Sequence, residues 1–189
     1  MQSTYKKRKL KRIGFGISVI VILIVMVYLV YYFVIIRAKK NEVTDSAINY
    51  VTMSNTMFIL PKEYQDNPQL MPKSEVEKLK RTILDVIDQN VLKESTLYNQ
   101  ESSVYIDIVQ DQIQGAYLIK DAQMKDIKNI EVKIDKDEAS VSFDASLCET
   151  IKEYNEESQK VTYTSYRLGL VYTNSKWMIA EYHFEPIGF

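Results

Sequence analysis

The only histidine of the chain lies between two acidic residues close to the C-terminus. His183 shares one face of a predicted strand with Glu181 and Glu185, because side chains two positions apart project to the same side of a strand. A histidine beside a carboxylate in a cavity could act as a general acid or base. On a solvated strand the same pattern is a surface histidine between two acids, and this second interpretation is the one we expect.

Other side chains that could bind a metal or act as a nucleophile lack the spacing that this chemistry needs. Asp135, Asp137 and Glu138 do not follow the ligand pattern of a calcium loop, so we expect a solvated hairpin turn. Cys148 is the only cysteine, which excludes an internal disulfide, and we expect a free thiol near a strand end. A zinc site built from several histidines is also excluded.

Nucleotide-binding motifs are absent from the sequence. The chain has five glycines and contains neither the G-x-x-x-x-G-K-[ST] nor the G-x-G-x-x-G pattern. We therefore predict no catalytic, cofactor-binding or metal-binding residue and no enzymatic activity. An enzyme that uses His183 with a carboxylate is the third of three functional hypotheses.

An uncharged apolar segment follows a short basic tail at the N-terminus. Residues 13–36 contain no charged side chain, and a helix of this length spans roughly 36 Å, enough to cross a hydrocarbon core of about 30 Å. A signal peptide would have a shorter apolar region and a small-residue cleavage site, whereas this segment leads into residues 37–40, Arg-Ala-Lys-Lys. We predict an uncleaved transmembrane helix over residues 13–36.

Basic residues on the two sides of this segment predict its orientation. Residues 1–12 carry six Lys and Arg and no acid, whereas residues 37–41 carry three Lys and Arg. The positive-inside rule then makes residues 1–12 a basic cytoplasmic tail. Residues 37–41 become a juxtamembrane linker and residues 42–189 an extracytoplasmic domain on the outer side of the cell membrane.

The chain beyond the apolar segment suits one acidic domain. Residues 37–189 hold 18 Lys and Arg against 25 Asp and Glu, a net charge of −7. Such a surface repels phosphate backbones, so we predict no direct nucleic-acid binding. The single cysteine and the lack of an N-x-[ST] sequon favour a bacterial envelope protein over a eukaryotic extracellular module.

Helical periodicity predicts two helices at the start of this domain. The first covers residues 42–60 and ends before Pro61, and a proline-rich loop follows over residues 62–73. The second helix begins at Ser74, which forms a capping-box pattern with Glu77. The predicted buried faces comprise Val43, Ala47, Tyr50, Val51, Ser54 and Phe58 in the first helix and Val76, Leu79, Ile83, Val86, Ile87 and Asn90 in the second.

Alternating apolar and polar residues predict strands in the rest of the domain. A short strand is expected from Ser103 to Ile108, and residues 110–126 are expected to be irregular with a short helix or strand. Residues 135–138 form a turn within a half-buried antiparallel hairpin, and residues 152–159 are a long loop or a strand extension. The remaining predicted strands cover residues 130–134, 139–147, 161–172 and 176–184.

The last two predicted strands carry apolar side chains on both faces. A sheet packed on one face only should alternate more regularly, so part of the second face could be covered by another copy of the chain or another protein. The alternative is that the helices and residues 99–129 cover both faces. The candidate partner surface comprises Tyr163, Tyr166, Tyr172, Trp177 and Ile179.

The order of these elements resembles a known superfamily. Two helices precede IEVKIDKDEASVSF and YRLGLVYTNSKWMIAEYHFEPI, and over residues 42–189 this is similar to the nuclear-transport-factor-2-like (NTF2-like, cystatin-like cone) superfamily. The resemblance implies an α+β fold in which helices pack on a curved antiparallel sheet. Enzymes of the superfamily place acids, often with His or Tyr, inside the cone. The inward positions of residues 139–147 are apolar here, which argues against catalysis.

The apolar segment narrows this resemblance. A cytoplasmic tail, one span and an outer domain of this fold resemble the VirB-eight-like assembly factors of type IV secretion and conjugation systems, which implies self-association and contacts with other channel subunits. Our first hypothesis is therefore a structural subunit of a DNA-transfer complex. Our second is a membrane-tethered binding domain for a small ligand or cell-wall fragment. An open cavity with polar lining favours the second, and a cone filled by side chains favours the first.

Overall fold

The chain forms two structural units, Met1–Asn41 and Glu42–Phe189, and each is described by itself. The computed structural model describes residues 2–115, 117–153 and 156–187, with side chains from residue 18 onward. The first unit is helical over its described residues. The second unit is an α+β domain with a four-stranded antiparallel sheet, which confirms the predicted fold class.

A long helix, α1 (Gln2–Ser54), includes the apolar N-terminal segment. Between residues 19 and 36 its large apolar side chains are exposed. Within the described part of the chain it is the one helix long and apolar enough to cross a membrane. A helix pairs its backbone groups internally, so such a segment can lie in lipid without unsatisfied polar groups. Residues 37–41, predicted as a linker, are also helical.

The end of α1, residues 42–54, contributes the first helical segment of the second unit. Its predicted buried face is confirmed, because Tyr50 and Val51 are fully buried with their helical neighbours. The helix ends at Ser54 and not at residue 60. The side chains of Ser54 and Asn55 both donate hydrogen bonds to the Val51 carbonyl at the helix end, at 3.0 and 2.8 Å.

The second helix, α2 (Lys73–Asn90), has the predicted apolar stripe, with Ile83 and Ile87 fully buried. The predicted capping box is wrong, because the helix begins one residue before Ser74. Pro72 is the N-cap residue, and its carbonyl accepts a hydrogen bond from the Glu75 amide at 2.9 Å. The fixed φ angle of proline favours a helix start at this position.

A third helix, α3 (Thr96–Gln114), replaces the strand predicted over residues 103–108. Its buried side chains include Leu97, Tyr105 and Val109, which recur at helical intervals. The alternation that predicted a strand is local and is outweighed by this longer period. Gly115 ends the helix in the left-handed conformation, with φ of 84°.

The sheet contains four strands in chain order, and each pairs antiparallel with the next. The predicted hairpin turn at residues 135–138 is confirmed, and residues 152–153 and 156–159 are strand extensions, with Glu153 paired to Glu156. Residues 154 and 155 lie outside the described residues. Of residues 110–126, which the sequence left open as irregular, residues 110–114 belong to α3 and residues 118–126 to the first strand. The strands are β1 (Leu118–Asp135), β2 (Glu138–Glu153), β3 (Glu156–Thr173) and β4 (Lys176–Pro186).

The helices cover one face of the sheet, which we call the helix side, and the opposite face is called the outer face. Val141, Phe143, Leu168 and Leu170 point to the helix side and form one core with the helices. Their neighbours along the strands, such as Arg167, are mostly polar and more exposed. This alternation is that of an antiparallel sheet with one solvated face.

Two glutamine side chains connect the segment after α1 to β1. Gln112 is fully buried; its Nε2 donates to the Phe58 carbonyl and its Oε1 accepts from the Ile119 amide, both at 2.9 Å. Gln65 lies between the short 3-10 helices Lys62–Tyr64 and Pro68–Leu70 and donates to the carbonyls of Leu60 and Lys120, both at 3.0 Å. Polar side chains thus satisfy backbone groups that the sheet leaves unpaired.

We predict that Gln112→Ala destabilises the second unit. The substitution leaves a buried carbonyl and a buried amide without partners, and each such group costs about 1–3 kcal/mol. Chemical denaturation of the full chain, followed by the fluorescence of the buried Trp177, measures the change. Gln114→Ala, on the exposed end of the same helix, is the matched control. Equal stability of the two variants would contradict the assignment.

Candidate functional site

A cavity of about 780 Å³ opens on the helix side of the sheet. Its walls come from the end of α1 and the turn after it, from α3, and from the ends of the four strands. The volume lies in the range of small-molecule sites, roughly 300–1,000 Å³. The lining is mostly apolar and aromatic with a few polar groups: Ser54, Asn55, Phe58, Leu97, Gln100, Glu101, Val104, Tyr105, Ile108, Ile119, Leu147, Glu149, Lys160, Thr162, Thr164, Tyr166, Tyr182, Phe184 and Pro186.

A carboxylate surrounded by tyrosine hydroxyls lies in this cavity. The hydroxyl of the fully buried Tyr50 donates a hydrogen bond to Glu101 Oε2 at 2.8 Å. Tyr105 also hydrogen-bonds with Glu101 and with Ser54, and Tyr182 hydrogen-bonds with Ser54. These side chains form one polar network, called here the Glu101 network, inside an otherwise apolar lining.

Burial changes the ionisation of the network. Loss of water raises the pKa of Glu101 above its ordinary value, and the hydrogen bonds from Tyr50 and Tyr105 oppose part of that shift. Burial also raises the pKa of Tyr50, Tyr105 and Tyr182 strongly, and the Glu101 charge adds to the shift. The phenols therefore stay protonated and act as donors.

Aromatic rings form much of the cavity wall. Phe58 stacks on Tyr105 with ring centroids 5.9 Å apart, and Tyr166 stacks on Tyr182 at 6.3 Å. Phe184 packs against Tyr182 at 5.7 Å and is exposed at the opening. Large rigid rings bury much surface at little cost in conformational entropy. A ligand in the cavity would contact several of these ring faces.

One oppositely charged pair lies at the strand ends of the cavity. Glu149 of β2 and Lys160 of β3 face each other in the sheet register. Burial raises the pKa of Glu149, and the Lys160 charge opposes the increase. The charged lining thus consists of two carboxylates and one ammonium group.

The period of α3 explains why Glu101 reaches the cavity. Leu97, Glu101 and Tyr105 are spaced by four residues and lie on one helix face. Because residues 103–108 were predicted as a strand, Glu101 was missed as a site residue. The spacing of four that links Leu97, Glu101, Tyr105 and Val109 is the signal that could have found it.

The predicted partner surface is only partly exposed. Tyr163 and Tyr172 are 37% and 38% exposed, whereas Tyr166, Trp177 and Ile179 are buried in the core. These last three cannot form part of an exposed surface, and that part of the prediction is wrong. For Tyr163 and Tyr172 it stays a prediction.

A bulge explains the error in β4. Gly169 pairs with Glu181 and Leu170 pairs with Ile179, so Ala180 is an extra residue that breaks the alternation of the strand. Ile179 is therefore part of the core and Tyr182 packs against it, although strict alternation would place the two side chains on opposite faces of the sheet.

The other candidate residues lie away from the cavity. Glu181, His183 and Glu185 are exposed on the outer face, so His183 is a surface histidine as expected. The turn after β1 is exposed, and no cluster that could hold a metal occurs among the residues with described side chains. Cys148 is half-buried within β2, opposite Gln123 and Val161, and not near the strand end.

No protein-family model matches the chain, and no curated protein matches it. Solved structures similar to it include the intermembrane space region of the chloroplast protein ARC6, with 12% identity, a TM-score of 0.40, and coverage of 68% of this chain and 98% of that chain. A proposed dehydratase of the NTF2-like family from Streptomyces avermitilis has 11% identity and a TM-score of 0.39, covering 76% and 97%.

A third similar structure is a proposed calcium/calmodulin-dependent protein kinase II association domain from Xanthomonas campestris. It has 14% identity and a TM-score of 0.37, and the match covers 60% of this chain and 84% of that chain. At these TM-scores the three similarities carry no argument about function, and we base the functional proposal on the cavity.

We predict that Glu101→Gln removes a pH dependence of stability. A carboxyl group with a raised pKa in the folded state makes that state bind more protons than the unfolded chain. Stability is therefore lost as the pH rises from the ordinary value of about 4.3 through the raised value. Glutamine carries no charge to desolvate, so the variant should unfold at a higher temperature than the wild type at neutral pH.

The measurement is thermal unfolding of the full chain across this pH window, followed by Trp177 fluorescence. Glu63→Gln, the same change at an exposed position, should follow the wild type. Parallel pH profiles for all three proteins would show that Glu101 has an ordinary pKa.

Proposed function

We propose that this protein is a membrane-tethered binding domain, held outside the cell membrane by its apolar helix, whose cavity holds a small ligand. The open cavity is the observation that carries the proposal. A cone filled by side chains would have favoured a purely structural role, whereas a space of about 780 Å³ remains here. Its lining is mainly apolar and not polar as expected from the sequence for a binding domain, so the proposal rests on the open space and its few polar groups. The basic tail of residues 1–12 supports an inside location for the N-terminus.

The composition of the cavity supports binding of a specific ligand. Ligand sites are mainly apolar, with a few polar groups that fix the orientation of the ligand. Here the rings of Phe58, Tyr105 and Tyr166 supply apolar surface, and Glu101 supplies a fixed acceptor. The carboxylate is held by Tyr50, so its position does not depend on a ligand.

We also propose that the domain binds without catalysis. General acid–base catalysis needs a group that is free to exchange a proton with a substrate. Tyr50 and Tyr105 already donate to Glu101, and His183 lies on the outer face. The cavity does hold an acid with tyrosines, so the apolar inward positions of residues 139–147 no longer argue against catalysis. The proposal of a fixed charge rests on the hydrogen bonds that Glu101 already accepts.

A substitution at the opening of the cavity tests the proposal. Val104 lines the cavity and is 50% exposed, whereas Val161 is 53% exposed on the outer face. Val104→Trp should fill part of the opening and abolish ligand binding, and Val161→Trp should leave binding unchanged. The two variants carry the same change at almost equal exposure.

The measurement is a ligand-observed NMR screen of water-soluble fragments against the full chain in lipid nanodiscs. Fragments that bind the wild type and Val161→Trp but not Val104→Trp support the proposal. A screen in which Val104→Trp loses no fragment would refute it.

A second candidate is the structural subunit of a type IV secretion or conjugation complex. It is favoured by an exposed apolar cluster on the outer face, where β3 begins and β4 ends. Val161, Tyr163 and Ile187 form this cluster, and the Ile187 amide donates to the Tyr163 carbonyl at 2.7 Å. Exposed apolar clusters of this kind are typical of protein–protein contacts.

For this second candidate, the prediction concerns DNA transfer by the native host. Val161→Asp with Tyr163→Asp should accumulate at wild-type level but reduce transfer, because two charges would have to be buried in the contact. Val104→Asp, at the cavity, should leave transfer intact. Unchanged transfer after deletion of the gene would exclude this role.

A further inference from the structure

The charges that line the cavity do not cancel. Glu101 from α3 and Glu149 from β2 are acidic, and Lys160 from β3 is the one basic residue in the described lining. The lining positions from α1, β1 and β4 carry no carboxylate or ammonium group. Lys160 lies opposite Glu149 in the sheet register and its charge acts on Glu149, whereas the groups that act on Glu101 are the Tyr50 and Tyr105 hydroxyls and no cation.

We infer that the cavity takes a small ligand with a protonated amine on an apolar or aromatic body. This inference rests on the proposed function and specifies its ligand class. The ammonium group would lie at the Glu101 network, and the apolar body would occupy the aromatic part of the cavity.

Hydrogen-bond donors and acceptors at the network favour an amine. The hydroxyl protons of Tyr50 and Tyr105 are already donated to Glu101, so these groups have no donor left for a ligand anion. A carboxylate has about four lone-pair sites, so Glu101 can still accept hydrogen bonds from a ligand. An ammonium group has three donors and no acceptor, which complements this site.

The aromatic lining favours the same charge. The faces of tyrosine and phenylalanine rings attract cations, and Tyr105, Tyr166, Tyr182 and Phe58 all line the cavity. The same faces repel a carboxylate, and charge interactions are stronger away from bulk water. A ligand anion would be repelled by the Glu101 charge and by the ring faces. A neutral alcohol would gain only a hydrogen bond to Glu101.

Three probes with one ring and different charges test the ligand class. Phenethylamine, phenethyl alcohol and phenylacetate are titrated calorimetrically into the full chain in phosphatidylcholine nanodiscs, with empty nanodiscs as the background. The amine should bind about tenfold or more tightly than the alcohol, as expected for a hydrogen bond to a charged group, and the acid should not bind.

Glu101→Gln should remove the preference for the amine over the alcohol, because the charge at the network is lost while the shape of the cavity is kept. Glu63→Gln, at an exposed position, should retain the full preference. The wild-type protein gives the second measurement, which needs no variant. Its amine preference should decline as the pH falls and Glu101 takes up a proton.

The outcomes separate this inference from the proposed function. Binding of the alcohol or the acid as tightly as the amine, with loss in Val104→Trp, would overturn the ligand class and keep the ligand-binding role. A preference for the amine that persists in Glu101→Gln at all pH values would also overturn it. Failure of every probe and every fragment to bind would refute both.

Discussion

A carboxylate can remain inside an apolar cavity only when hydrogen bonds or an opposite charge replace the water that it has lost. In this domain the replacement is incomplete. Tyr50 and Tyr105 donate hydrogen bonds to Glu101, yet burial still raises the pKa of Glu101. The cavity therefore holds an acid that is fixed in position but not fully compensated. This single interaction relates the stability of the domain to its proposed role, because a bound cation would supply what the protein lacks.

The rest of the second unit holds this network in place. Tyr50 comes from the buried face of α1, Glu101 and Tyr105 come from α3, and Tyr182 comes from β4, so three elements must meet at the cavity. Gln112 connects the turn after α1 to β1 and fixes the end of α3 beside them. Site residues on regular elements are held more precisely than those on loops. The site thus depends on the packing of the entire domain.

The sequence was informative where one period dominated. The buried faces of residues 42–54 and of α2, and the hairpin of β1 and β2, follow regular intervals and were predicted from them. The strand predicted over residues 103–108 was wrong because three alternating β-branched side chains resemble a strand, whereas the helical face of α3 extends over a longer stretch. The helical spacing of buried residues determines the structure here, and this spacing can be recognised only over the complete helix.

The candidate site was predicted less well than the fold, for two physical reasons. Glu101 belongs to a helix that was not predicted, so its contact with Tyr50 could not be predicted either. The bulge at Ala180 shifts the alternation of β4, which buries Trp177 and Ile179 on the helix side. A bulge depends on pairing with the neighbouring strand, and a single strand sequence does not reveal it. The resemblance to the NTF2-like superfamily implied a cone, but not which side chains line it.

The most direct test of the central claim is the ionisation of Glu101 itself. The full chain, labelled with carbon-13 at glutamate side-chain carboxyls, can be titrated by NMR in nanodiscs, with Glu101 assigned from the spectrum of Glu101→Gln. We predict a pKa above that of the exposed glutamates, which falls when phenethylamine saturates the cavity. A Glu101 signal that titrates with the exposed glutamates and does not respond to the amine would contradict the account.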